Sequence, residues 1–229
     1  MEIIKAYAKV NLFLKVSPPD LNGYHKINSV MSIVEDLYDE IKIISENDIK
    51  DEIICNIKTL EQNNFLHTVL DELRKEGLIK KYYKIQLTKN IPLGSGLGGG
   101  TSDAVALAKF FTVNKKVLHN IYKKIGYDSY FFDSGFKTAI VKGYGENVEE
   151  HKFIEIKKKD LIFTNVNSQT NKVYKKFDEL KDWDSENKNQ LTNAALKLYP
   201  ELLKFSHDGQ MSGAGSTFIK KESLKKITF

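Results

Sequence analysis

Cysteine occurs once in the 229 residues, as Cys55, so no intramolecular disulfide framework is available and the chain fits a reducing compartment. Its setting, Ile53-Ile54-Cys55-Asn56-Ile57, is that of a buried strand residue and not of a nucleophile. No apolar run is long enough to span a bilayer, and the alternating residues that follow Glu2 do not resemble a signal peptide. These absences set the expectation of a soluble, cytoplasmic protein with no membrane partner. His67, His119, His151 and His207 show no metal-ligand spacing and form no cluster with Cys55 that would suggest zinc. Apart from Lys157-Lys158-Lys159 the lysines fall singly or in pairs, and no basic stripe interleaved with aromatics is present, so no nucleic-acid partner is expected. Internal repeats and low-complexity segments are also missing.

What is present is the material of a folded globule: 41% hydrophobic residues, with 13 Phe and 11 Tyr. The net charge of +5, from 35 basic and 30 acidic side chains, is small but of the sign that attracts a polyanionic nucleotide. Partial alternation of β-branched and aromatic residues predicts strands over 2–8, 10–16, 28–35, 39–45, 52–57 and 83–88. Helical periodicity runs over 65–75, 102–111 and 117–125, and a strand over 136–142 leads into the turn Gly143-Tyr144-Gly145. The pattern then restarts, with a strand at 160–164 and helices at 171–180 and 187–198. A second glycine-bearing segment follows, Met211-Ser212-Gly213-Ala214-Gly215-Ser216. The expected fold is α+β in two lobes with the active site in the cleft between them, the first lobe over 1–149 and a short second one over 150–229.

The densest chemical signal is Ile91-Pro92-Leu93-Gly94-Ser95-Gly96-Leu97-Gly98-Gly99-Gly100-Thr101-Ser102-Asp103. Five glycines let the backbone adopt positive φ and bring N–H groups close to an anion. Thr101 or Ser102 then caps a helix whose N-terminal dipole favours phosphate oxygens. No Lys follows the last glycine, which excludes a Walker A loop, and no acidic residue stands at the spacing a dinucleotide fold requires. A flexible linker would lack the strand before it and the apolar helix after it.

Three separated segments, Ala8-Lys9-Val10-Asn11-Leu12, the glycine loop and Met211-Ser212-Gly213-Ala214-Gly215, resemble in order and separation the three motifs of the GHMP kinases. Further pointers are Asn22-Gly23-Tyr24-His25, Gly126-Tyr127-Asp128-Ser129-Tyr130-Phe131-Phe132, Gly143-Tyr144-Gly145-Glu146 and Asn189-Gln190-Leu191. They are similar to the branch whose acceptor alcohol carries a cytidine diphosphate. Departures are Tyr7, Ser129 and Tyr130, a tail that ends early at Phe229, and Pro18-Pro19-Asp20-Leu21-Asn22-Gly23 where the family runs Pro-Asp-Gly. The resemblance implies ATP and Mg²⁺ as cofactors, a monomer or homodimer, and an ATP site built from Pro92, Leu93, Gly94, Ser95, Gly96, Leu97, Gly98, Gly99, Gly100, Thr101 and Ser102.

Phosphoryl transfer to an alcohol needs a group that takes or orients the hydroxyl proton, and Asp128 is the candidate, with Lys9 as the partner that keeps it ionised. Asn11 holds the substrate or Asp128 through its amide, or closes a turn as a structural amide. Metal ligands are undetermined, with Thr101, Ser102 and Asp103 as possibilities, although Asp103 is equally a partner for the helix dipole. By family position Tyr24 and His25 grip cytosine, Tyr174 supplies the opposite wall with Phe177 as its substitute, and Asn64 and Lys89 belong to the adenine pocket. The rival readings are another small-alcohol kinase of the same superfamily, mevalonate- or homoserine-like, and a noncatalytic nucleotide- or RNA-binding module.

Overall fold

The computed structural model describes residues 3–227, so Glu2 in the first expected strand and Phe229 at the end of the expected second lobe lie outside the described residues. The four strands expected before residue 46 are two long ones, β1 (Ile4–Pro19) and β2 (His25–Asn47). They pair antiparallel, and the apparent breaks are irregularities: Tyr7 pairs with Tyr38 but Ala8 with Val34, and the register slips again between Asn11 and Phe13. A bulge disturbs the side-chain period without ending the strand, which is why alternation alone reads it as a stop.

Strands β3 (Glu52–Cys55), β4 (Tyr82–Thr88), β5 (Thr138–Gly143) and β6 (Asn147–Glu150) complete a sheet ordered β3-β4-β2-β5-β6, with β1 on β2. Cys55 is buried at the end of β3, as its surroundings predict. Helix α1 (Phe65–Lys75) has the expected bounds, and α2 (Gly99–Phe111) and α3 (Lys115–Ile125) begin two or three residues earlier than periodicity places them. A short helix α4 (Asp128–Ser134) was not anticipated. Ala6 on β1 and Ile41 on β2 pack into one core with Leu66, Leu70, Ala104, Leu107 and Ile121 from these helices.

The second sheet is small: β7 (Leu161–Ile162), β9 (Phe218–Lys220) and β8 (Gly209–Met211), in that order. Helices α5 (Thr170–Leu180) and α6 (Thr192–Leu198) accompany it, with two four-residue helices at Leu203–Ser206 and Lys221–Leu224. The expected strand at 160–164 keeps only two paired residues. The expected helix at 187–198 loses its first five because Asn189 and Gln190 are buried amides serving distant backbone. Asn189 Nδ2 donates to the carbonyls of Met211 and Gly213, both at 2.8 Å, and Gln190 Oε1 accepts from Val16 N–H at 2.7 Å.

β1 threads both halves. Its apolar side sends Ala8, Val10 and Leu12 into a core with Ile154, Leu161 and Ile219, then Leu14 and Val16 into another with Val173, Phe177 and Leu191. The opposite side carries Lys9 and Asn11, two residues apart and therefore on one face, where the two halves meet. No helix among the described residues is long and apolar enough to cross a membrane.

Candidate active site

The glycine loop leaves β4 and enters α2 along a cleft of about 870 Å³. From Gly94 to Gly98 every carbonyl is committed. Gly94 O accepts from Ser168 N–H and Ser216 N–H at 2.9 and 3.2 Å, Ser95 O from Thr217 N–H at 3.1 Å, Leu97 O from Lys9 N–H at 2.9 Å and Gly98 O from Ser102 N–H at 2.9 Å. Gly96 O accepts from Lys9 Nζ at 3.0 Å. Among the described residues no N–H from Gly94 to Gly98 has a protein acceptor. Turning the carbonyls inward leaves the donors for the cleft, the arrangement a polyphosphate needs.

Three of the five glycines, Gly94, Gly96 and Gly98, have positive φ, while Gly99 and Gly100 are helical. Gly96 is closed in by backbone, because a Cβ there would lie 2.5 Å from Ser212 O and 2.7 Å from Gly215 O. The expected cap at Thr101 or Ser102 is corrected: Gly98 is the N-cap, with φ 73° and no side-chain bond, so the first-turn donors of α2 stay free. Pro92 through Thr101 line the cleft, whereas Ser102 is buried inside the helix and does not.

Opposite the loop, Lys9 Nζ lies 3.4 Å from Asp128 Oδ2, the lysine 5% and the aspartate 36% exposed. Asn11 Oδ1 accepts from the same ammonium at 2.6 Å, and with Gly96 O this fixes Lys9 against the loop. Asn11 does not hold Asp128. Its Nδ2 donates to Ser29 Oγ at 2.8 Å and its N–H to Ser212 Oγ at 2.9 Å, so it locks Lys9 to β2 and to the second glycine segment. Gly213 belongs to the same knot, since a Cβ there would sit 3.3 Å from Lys9 Nζ.

The two residues assigned to adenine are both committed to protein partners, although Lys89 also borders the cleft. Asn64 caps α1, its Oδ1 accepting from Leu66 N–H at 2.9 Å, and does not line the cleft; Phe65 beside it does. Lys89 is 2% exposed, and its ammonium donates to both Asp39 and Asp103, the second at 2.6 Å. Asp103 is thereby corrected as a metal ligand, because its one bonded oxygen serves Lys89 from inside the fold. Burial opposes the charge on Lys89, but Asp103 and Asp39 outweigh it and raise its pKa. Burial, offset only in part by Lys89, pushes the Asp103 carboxyl up to about 8. Asp39 went unread in the sequence, though Leu37, Asp39 and Ile41 share one strand face between apolar neighbours, and an acid there is the available signal.

The aromatic candidates also line the cleft. Tyr24 is 57% exposed and meets the edges of Tyr127 and Tyr144, with ring centroids 6.4 and 6.1 Å away. His25 is anchored, its Nδ1 bonded to Ser17 O at 2.8 Å and its Nε2 3.4 Å from Asp178 Oδ1. Tyr174 lies against His25, with ring centroids 5.2 Å apart. Burial, with Asp128 second, raises the Tyr174 pKa and keeps the phenol neutral. Phe177 is fully buried in the core, which removes it as a wall of the site.

An inward-turned glycine loop facing a lysine-aspartate pair defines a phosphotransferase class, and the profile of the GHMP kinases N terminal domain matches residues 64–127. A 4-diphosphocytidyl-2-C-methyl-D-erythritol kinase from Campylobacter jejuni is 32% identical over 255 residues, covering 95% of this chain and 99% of that one. Another of the same name, from Ureaplasma parvum, is 31% identical over 95% of this chain and 94% of its own. A crystal structure of 4-(cytidine 5'-diphospho)-2C-methyl-D-erythritol kinase superposes with a TM-score of 0.70 at 21% identity, covering 96% and 89% of the two chains. The chain belongs to the 4-diphosphocytidyl-2-C-methyl-D-erythritol kinase family.

Proposed function

We infer that the chain transfers the γ-phosphoryl group of ATP to the 2-hydroxyl of 4-diphosphocytidyl-2-C-methyl-D-erythritol, a step of non-mevalonate isoprenoid precursor synthesis. The observation that carries the catalytic reading is the Lys9–Asp128 pair at 3.4 Å beside the free donors of Gly94 to Gly98. Asp128 accepts the hydroxyl proton as the new oxygen–phosphorus bond forms and the bridging bond to ADP breaks. Lys9, 3.4 Å from Asp128, stabilises charge developing on the attacking oxygen. The loop amides carry charge on the phosphates, so no covalent intermediate is required.

The first lobe supplies the ATP loop, Lys9 and Asp128, and the second contributes Tyr174 to an acceptor site shared with Tyr24 and His25. Mg²⁺ has no protein cage: among the described residues no group of three His, Cys, Asp or Glu could hold a metal, and Asp103 is committed to Lys89. Thr101 is the one expected ligand that lines the cleft. A divalent ion would therefore arrive on the triphosphate and neutralise its charge there. A cytoplasmic enzyme working as a monomer or homodimer without nucleic acid belongs to the same proposal, and the unpaired, buried Cys55 supports the reducing compartment. The test is ADP release across a panel of alcohols with and without a cytidine diphosphate. Equal kcat/KM for a small alcohol lacking that handle would reassign the chain to a different acceptor.

A further inference from the structure

The turn that presents Tyr24 has little packing of its own. Leu21 is fully exposed, Asn22 and Gly23 are exposed beside it, and a Cβ on Gly23 would meet nothing within 4 Å. The turn is longer than the Pro-Asp-Gly pattern it resembles, so it has more freedom to lose. It is closed at Asp20. The Asp20 N–H donates to Tyr24 O at 2.8 Å, and Asp20 Oδ1 accepts from Asn22 N–H at 2.8 Å and from Tyr24 N–H at 3.0 Å. The second carboxylate oxygen takes one further bond, from the Tyr144 hydroxyl at 2.6 Å across 124 residues of sequence.

Tyr144 stands on a firm base. The turn joining β5 to β6 is closed by Glu146 Oε2, which accepts from Tyr144 N–H at 2.7 Å. Gly145 (φ 131°) presses that turn onto Tyr127, because a Cβ there would lie 2.8 Å from Tyr127 Cβ. Tyr127 immediately precedes Asp128. One tyrosine thus reaches the acceptor turn twice, by its hydroxyl at Asp20 and by its ring edge at Tyr24, from a support shared with the catalytic aspartate.

We propose that Tyr144 and Asp20 form a latch that holds the Asp20–Tyr24 turn, and with it the Tyr24 ring, in the position that receives the base of the acceptor. Tyr144 is then a positioning residue for specificity. It acts on acceptor affinity through the fraction of chains whose turn is correctly placed, and on neither the ATP loop nor the Lys9–Asp128 pair. The Tyr144–Asp20 bond raises the tyrosine pKa, and the same bond, followed by the Tyr24 N–H bond, lowers that of Asp20. The latch rests on the assignment of Tyr24 to the cytosine of the acceptor.

The test is steady-state kinetics of Tyr144→Phe, Asp20→Ala, the double variant and Tyr24→Ala. Tyr144→Phe keeps the ring and removes the hydroxyl. It should raise KM for the cytidine-diphosphate acceptor roughly 3- to 10-fold, the effect of one net hydrogen bond, with kcat and KM for ATP within about twofold. The double variant should be no worse than Asp20→Ala, because Tyr144 acts through Asp20. An unchanged acceptor KM in Tyr144→Phe, additive effects in the double variant, or an equal rise in KM for ATP overturns the latch. A Tyr24→Ala enzyme with unaltered acceptor KM overturns the cytosine assignment, whereas a raised KM there with an unaffected Tyr144→Phe overturns the latch alone.

Discussion

Asp103→Asn tests how the glycine loop is held in place. Asp103 Oδ2 accepts from Lys89 Nζ at 2.6 Å, while Oδ1 is buried with no hydrogen-bond partner. Lys89 is shared with Asp39, so two carboxylates converge on one ammonium where no member is more than 5% exposed. The Asp103 carboxyl is pushed up to about 8 from an ordinary 3.8, chiefly by burial. Between those values the folded chain keeps a proton that the unfolded chain has released, and raising the pH therefore favours unfolding. Stability falls through this window with a slope approaching about 1.4 kcal/mol per pH unit, the limit for one proton. Asn does not titrate, and its carbonyl can still accept from Lys89. Urea unfolding followed by Trp183 fluorescence at pH 5, 6 and 7 should give a free energy that declines less steeply with pH in the variant than in the wild type. The difference should approach about 1.4 kcal/mol for each unit. Equal slopes in the two proteins would refute the protonated carboxyl. Asp39→Asn should behave differently, because Asp39 Oδ1 also accepts from Asn90 and Ile91 N–H at 2.6 and 2.8 Å. Asp39→Asn leaves Lys89 with Asp103 alone and should cost roughly 1–3 kcal/mol.

Asp128→Asn should keep the fold and ATP binding yet lower kcat by about 10²–10⁴, and near-wild-type turnover would remove Asp128 from the chemistry. Gly96→Val combines a β-branched side chain at φ 74° with backbone oxygens 2.5 and 2.7 Å from its Cβ, so calorimetry on the folded variant should find ATP binding abolished. Tyr174→Ala and Tyr24→Ala should each raise acceptor KM about 5- to 150-fold, the equivalent of roughly 1–3 kcal/mol of stacking, while KM for ATP stays put.

Local chemistry was legible in this sequence where one segment contains its own explanation. Helix α1 carries both its apolar stripe and its cap, Asn64, and its bounds follow from them. Asn64 also shows the limit, since it was assigned to adenine by family position, yet its oxygen is spent on Leu66 N–H and Phe65 beside it, not Asn64, lines the cleft. Strands β1 and β2 were broken in the reading because a bulge changes period locally while pairing continues, and only the partner strand reveals that continuity. Lys9 and Asp128 could be paired from motif and chemistry. Asn11 could not be given its partner: the substrate, Asp128 and a structural bond were the candidates, and its oxygen instead accepts from Lys9, a choice that depends on which way a strand face turns.

The glycine loop separates the two kinds of information most clearly. Its glycines show that the backbone can take unusual φ values, but they do not say which edge of the peptide will face the ligand. That is decided by acceptors being used up on the other side, and the donors that use them come from Lys9, Ser168, Ser216 and Thr217. Three of these four lie at least 70 residues after Gly98. The segment Met211 to Ser216, legible only as a second glycine motif, supplies the surface: Ser212 O and Gly215 O approach Gly96 so closely that no side chain fits. Hence a change in the 212–217 segment that spares every residue facing the cleft should still weaken ATP binding, because it frees loop carbonyls to turn toward the phosphates. Thr217→Pro, which removes the N–H that Ser95 O accepts, is the direct case. ATP affinity within twofold of wild type in that folded variant would show that the loop holds its orientation without the distant donors.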